Sequence, residues 1–378
     1  MKATKLMLSA CFAVLALVSC NKVETDDFQK SSLKSVELSL SNVQFVTKAP
    51  GGAEISDGQA VVVSSFQVFF TDGANVYSGK TTAGEDIDAY YTADDTGAVA
   101  ELGTAQTYHF LPDAVNKVVV VGNLPKIENA KTMADINRAV YAKDQQDQTT
   151  LTLYAESGLT QTGNHVEDPD GHSAILYTAN CNLLPLIARL EVKSAGITFN
   201  DPAKFDKVEF DKLIFADYYG EANLMTGAVS NLFTVDLTND ITAFNYINST
   251  TDGFWDNDKV TLTATPTQTA EENTVETNIS YSFFPNENVG PVLILNTLAT
   301  AAGSTTSAPA YVYTSQFKHG ESILLPYSED GHKGFKPGHI YRIESFNFNE
   351  DKLVHQDKCI DVTVTVDSWK VVAVTPVF

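Results

Sequence analysis

The sequence predicts an all-β protein of two tandem β-sandwich domains, with one short helix in the first. Three observations carry that prediction. Apolar and polar residues alternate in short segments, as in Val362, Val364 and Val366 against Asp361, Thr363, Thr365 and Asp367, which is the period of a strand with one covered face. Turn-forming pairs such as Asp72-Gly73, Asp170-Gly171, Asp252-Gly253 and Asp330-Gly331 punctuate those segments. A length of 378 residues with 43% apolar content is enough for two cores.

The chain opens with Lys2 and Lys5 ahead of an apolar run from Leu6 to Val18, which is too short to span a bilayer comfortably. Leu17-Val18-Ser19-Cys20 follows where a signal peptidase cuts, so residues 1–19 read as an export signal. Those four residues also match a bacterial lipobox, in which Cys20 is acylated and becomes the new N-terminus. Residues 20–35 are polar and without period, and read as a tether.

Val36, Leu38 and Leu40 then alternate with polar neighbours, and Val43 and Phe45 continue the pattern after a one-residue slip. This predicts a strand with a bulge over 36–46. Lys48-Ala49-Pro50-Gly51-Gly52 places a basic residue in an exposed loop. Val61 to Phe70 reads as a strand that turns at Asp72-Gly73 into Val76-Tyr77, a hairpin. Lys117 to Gly122 is a continuous apolar run of the kind buried on both faces of a sheet. The helix is predicted over 130–141, where Met133, Ile136, Ala139 and Val140 form one stripe.

A polar loop occupies 157–173, and the domain boundary is placed near Pro185, giving domains of 36–185 and 186–378. The second opens with the alternation Arg189-Leu190-Glu191-Val192-Lys193. Strands are predicted at 205–215, 259–264, 278–284, 292–295, 310–313, 340–348 and 360–374.

Several functions are disfavoured by composition. Lys plus Arg total 25 against 47 Asp plus Glu, a net charge of −22, and no stretch gathers basic residues, so no nucleic-acid partner is expected. The familiar glycine-rich, phosphate-loop, zinc-helix and nucleophile-elbow signatures of enzymes are missing, and neither catalysis nor a cofactor is expected. His165, Glu167, Asp168, Asp170 and His172 offer ligand types without calcium-loop or zinc-helix spacing, and read as a solvated loop and not as a metal site. Trp255 and Tyr218-Tyr219 have the chemistry of a sugar platform, but aromatics in sandwiches are more often core residues. Cys181 and Cys359 are the cysteines left in the folded part, either independent or paired.

The last strand alternates to Asp367 and then, after Trp369, becomes apolar on both faces through Val371, Val372, Ala373 and Val374. Such a strand needs cover on both sides, as a closing strand of its own sandwich or inserted into a neighbour.

Lipobox, tether and an apolar strand before a Lys loop occur here in a particular order. They are followed by Val118 to Asn123 ahead of Lys131-Thr132-Met133-Ala134-Asp135-Ile136, then Arg189-Leu190-Glu191-Val192, Gly338-His339-Ile340-Tyr341-Arg342-Ile343 and the ending Val362-x-Val-x-Val-x-x-Trp369. In that order the chain resembles the fimbrillin, or type V pilin, family along essentially its whole length. The resemblance implies two transthyretin-like sandwiches in a lipoprotein precursor held in the outer membrane through lipid on Cys20. It implies that a trypsin-like protease removes residues 36–48; family members are cut after Arg, and here the basic residue in the loop is Lys48. It further implies donor-strand exchange between fimbrial subunits, with Val362, Val364, Val366, Trp369, Val371 and Val374 as donor positions in a self-polymer. The alternative is a lipid-anchored anchor or tip protein that binds glycan or a host ligand.

Overall fold

In the computed structural model, residues 33–41, 43–47, 60–92, 106–146, 151–167, 173–235, 246–247, 257–286, 289–319, 322–324, 335–354, 359–368 and 370–375 are described. The protein is nearly all β, as the alternating segments predict. It divides into two compact units that are not continuous in sequence. The first gathers the chain up to Ser41, Ser65–Ile136 and Ala155–Leu183; the second gathers Asn42–Ser64, Asn137–Tyr154 and Leu184–Phe378. The last switch falls beside Pro185. The two earlier segments of the second unit correct a simple division at 185: short strands there pair with partners far along the chain, and a linear reading has no view of such partners.

In the first unit one sheet has the order β11-β12-β1-β7, formed by β1 (Lys34–Ser41), β7 (Gln106–Leu111), β11 (Thr160–Glu167) and β12 (Ser173–Asn182). The other runs β10-β8-β4-β5, with β4 (Ser65–Thr71), β5 (Val76–Tyr77), β8 (Lys117–Gly122) and β10 (Leu153–Gly158). β6 (Tyr90–Thr92) also pairs with β4, while β13 (Leu184–Pro185) pairs with Leu153 and Tyr154 at the start of β10, residues that like β13 belong to the second unit. Val118 to Val121 of β8 are buried, which is why that run carries no polar alternation. Phe70 from one sheet meets Tyr108 from the other at 4.8 Å between ring centroids, so the two sheets share a core.

In the second unit one sheet runs β20-β14-β24-β27, made of β14 (Ala188–Thr198), β20 (Thr274–Phe283), β24 (His339–Ile343) and β27 (Thr365–Ser368). β25 (Phe346–Asn349) also pairs with β14. The facing sheet runs β19-β15-β21-β22-β23, from β15 (Phe205–Ala216), β19 (Asn257–Ala264), β21 (Val292–Ala301), β22 (Ser307–His319) and β23 (Ser322–Leu324). β26 (Cys359–Thr363) pairs with β22. Leu190, Val192, Tyr341 and Ile343 of the first sheet and Val208, Phe210, Phe215, Leu293 and Val312 of the second form one hydrophobic cluster, the interior of a sandwich. A smaller sheet orders β18 (Tyr246–Ile247), β17 (Val229–Val235), β16 (Tyr218–Asn223) and β9 (Ala139–Tyr141). A further one places β28 (Lys370–Thr375) between β2 (Val43–Thr47) and β3 (Ala60–Val63).

Several predicted elements differ: the strand with a bulge expected over 36–46 is two strands in separate sheets, and that over 360–374 is three. The helix is the single turn α1 (Met133–Ile136). Its N-terminal end is tied by the Asp135 carboxylate, which accepts from the Lys131 and Thr132 amides at 2.9 and 2.8 Å. Val140, on the predicted stripe, instead pairs with Ala222 as part of β9, so strand pairing overrides the helical period. The expected strand over 61–70 is two, because β3 belongs to the second unit and β4 to the first. The stretch 340–348 is likewise two strands that pair in succession along β14, which has a register shift between Val192 and Ser194.

Candidate functional site

The first described strand lies inside a sheet. β1 pairs in parallel with β12, matching Val36 to Tyr177, Leu38 to Ala179 and Leu40 to Cys181. On its other edge it pairs antiparallel with β7, matching Val36 to Tyr108 and Leu38 to Gln106. Val36 and Leu38 are buried, at 0% and 4% exposure. Ser35 is buried too, with its hydroxyl 3.0 Å from Nδ1 of His109. Lys34, read from sequence as tether, begins the strand. Its ammonium donates to the Asp113 and Val115 carbonyls at 2.5 and 2.9 Å and lies 4.9 Å from the centre of the Tyr177 ring. On β7, beside β1, the Tyr108 hydroxyl is 2.9 Å from that of Tyr91, and burial pushes the Tyr108 phenol well above its ordinary pKa.

Of the positions expected from sequence to donate, Val362 lies in β26, Val364 between β26 and β27, Val366 in β27, and Val371 and Val374 in β28. Val362 and Val364 are buried at 4% and 1% in the core of the second unit, and Val366 packs against that core partly buried. β26 pairs in parallel with β22, and β27 antiparallel with β24, through Ile340–Asp367 and Tyr341–Val366. The single strand expected over 360–374 is therefore corrected to three, and Val362 and Val364 fill the interior of the chain's own second unit. Val371 and Val374 lie in β28, where Val371 is matched to Val43 on one side and Val61 on the other, and Val374 to Val46. Cys20, Lys48, Trp369 and Trp255 lie outside the described residues, as do Asp168, Asp170 and His172.

Among the described residues no cluster of three or more His, Cys, Asp or Glu is placed to hold a metal, and no helix is long and apolar enough to cross a membrane. Tyr218 is a core residue, 1% exposed and stacked 4.9 Å from Phe215 and 5.1 Å from Phe233. Cys181 and Cys359 are both thiols, and burial pushes Cys181 up to about 12.

Sequence reasoning missed that Arg189-Leu190-Glu191-Val192 and Ile340-Tyr341-Arg342-Ile343 pair residue for residue in parallel. Their shared alternation was the only signal. It missed also that the segments on either side of Lys48 flank β28.

No family model matches the chain, and no curated protein matches it. Solved structures do. A candidate cell adhesion protein from Bacteroides eggerthii is 14% identical, with 91% of this chain and 98% of that one covered and a TM-score of 0.51. One from Parabacteroides distasonis is 12% identical over 92% and 98%, with a TM-score of 0.50. A fimbrilin from Porphyromonas gingivalis aligns over 89% and 98% at 12% identity, with a TM-score of 0.43. The first two show that the chain has the fold of these candidate adhesion proteins along nearly its whole length.

Proposed function

We propose that this chain is a structural subunit of a surface fimbria, exported as a lipoprotein acylated on Cys20, cut at Lys48 and polymerised by donor-strand exchange. The observation that carries the reading is the position of β1. An N-terminal strand that is interior to a sheet, with both edges paired and Val36 and Leu38 buried, leaves two facing edges and two apolar pockets when it departs. A strand of the same alternation from a second copy then restores the ladders, and the pockets set its register. The solved structures from Bacteroides eggerthii and Parabacteroides distasonis, candidate adhesion proteins of the same fold, support this reading. The motifs that resemble fimbrillins supply the rest: lipobox, Lys loop and apolar C-terminus. Lys34 is a poor alternative cut site, since its side chain is 12% exposed and engaged.

The test is limited trypsin treatment of the full chain, read by N-terminal sequencing and by gel. The expected product begins at Ala49 and forms ladders, while the membrane-bound precursor carries acyl mass on Cys20. A product that loses 34–48 and stays monomeric defeats polymerisation. A surface form that keeps β1 is an anchor and not a stalk subunit.

A further inference from the structure

We infer that β2 and β3 clamp the C-terminal strand β28 in cis, so that the cut which removes β1 also opens one edge of β28. This rests on the maturation proposed above and adds its control.

β28 is the middle strand of its sheet. Val371 to Thr375 match Val43 to Thr47 on one edge, and Lys370 to Ala373 match Ala60 to Val63 on the other, both in parallel. Both partners are local in sequence to one another and remote from β28. β2 lies wholly before Lys48 and β3 wholly after it, while β2 continues from β1 with only Asn42 between. Hydrolysis of the Lys48–Ala49 peptide bond by one water, leaving a carboxylate on 48 and an amino group on 49, puts β1 and β2 together on the departing fragment.

The consequence for β28 is large. Before the cut both of its backbone edges are occupied, and the slot between β7 and β12 is filled, so the precursor neither donates nor accepts. After the fragment leaves, β28 keeps a parallel ladder of four matched residues with β3. A two-stranded ribbon of that length is marginal in water, and a strand with an open edge recruits a partner. The root of β28 stays in place, because Val362 and Val364 just before it are held in the core of the second unit. One covalent event thus arms the donor and the acceptor at once.

The test measures hydrogen exchange at 370–375 in the wild-type full chain before and after trypsin, with gel ladders followed in the same samples. Protection at 371–375 is expected before the cut and a fall of at least tenfold in the cut monomer, with 359–363 unchanged. Unchanged protection beside growing ladders overturns the clamp and leaves the polymerisation reading standing; lost protection without ladders does the reverse. Absence of protection before the cut also overturns the clamp. A second variant, Val62→Cys with Val372→Cys, joins matched positions of β3 and β28 in a Cys11→Ala, Cys20→Ala, Cys359→Ser background. When oxidised it should still lose residues 34–48 but form at least tenfold fewer ladders, with recovery on reduction. Ladders at the wild-type level in the oxidised form overturn the inference.

Discussion

At Glu191 one carboxylate serves two guanidinium groups. Its oxygens lie 3.1 Å from Nε of Arg189 and 2.8 Å from Nε of Arg342, with all three side chains between 8% and 19% exposed. Burial lowers the Arg189 pKa, an effect that Glu191 opposes and Arg342 reinforces. Removing the carboxylate strands two cations in a poorly solvated place, so Glu191→Gln should cost about 3 kcal/mol of second-unit stability by urea unfolding. The surface pair Lys117–Glu156, with the lysine 47% and the glutamate 36% exposed, is the control: Glu156→Gln should change stability by less than about 1 kcal/mol. Equal effects would show that burial does not decide the matter. The sequence displayed both motifs of this cluster as plain strand alternation. Their meeting was hidden because the partners are 151 positions apart and join through parallel pairing, which leaves no local trace.

At the scale of elements, legibility followed locality. The β4–β5 hairpin was readable because its turn is written in adjacent residues: Gly73 adopts φ +100, and Asp72 accepts from the amides of Ala74 and Asn75 at 2.8 and 2.7 Å and from the Tyr77 hydroxyl at 2.8 Å. The α1 segment failed the same reading because Val140 has a strand partner in Ala222 that the helical stripe does not reveal. The Asp72 carboxyl is held well below the usual carboxylate range, chiefly by the Asn75 side-chain amide, then by the Asn75 and Ala74 backbone amides and the Tyr77 hydroxyl. A depressed folded pKa gives stability that is present above the unfolded value, roughly pH 4, and is lost as pH falls toward the folded one. Asp72→Asn should therefore be less stable than wild type at pH 7, with the gap narrowing as the pH drops to about 2. Urea midpoints of the first unit across that range check it, and a gap independent of pH would remove the carboxylate from the account.

Across the whole molecule, the pattern of apolar residues near the C-terminus was legible while its allocation was not: alternation tells that Val362, Val364 and Val366 share a face, but not whose core that face joins. The structure assigns Ile360, Val362 and Val364 to the chain's own second core, at 7%, 4% and 1% exposure, and β28 to a separate three-stranded sheet. Burying three such side chains contributes roughly 1.5 to 3 kcal/mol each, a sum comparable to the whole net stability of about 5 to 15 kcal/mol expected of a domain. Two truncations should therefore behave differently. A chain ending at Lys358 should lose the cooperative unfolding of its second unit, since β26 and β27 go with it. A chain ending at Ser368 keeps both strands and loses only β28, so its circular dichroism melt should stay cooperative. Neither should form ladders after trypsin, but for different reasons: the first for want of a folded subunit, the second for want of a donor. If the chain ending at Ser368 also melts without a cooperative transition, β28 is a structural strand of its own unit, and the donor must be sought elsewhere in the chain.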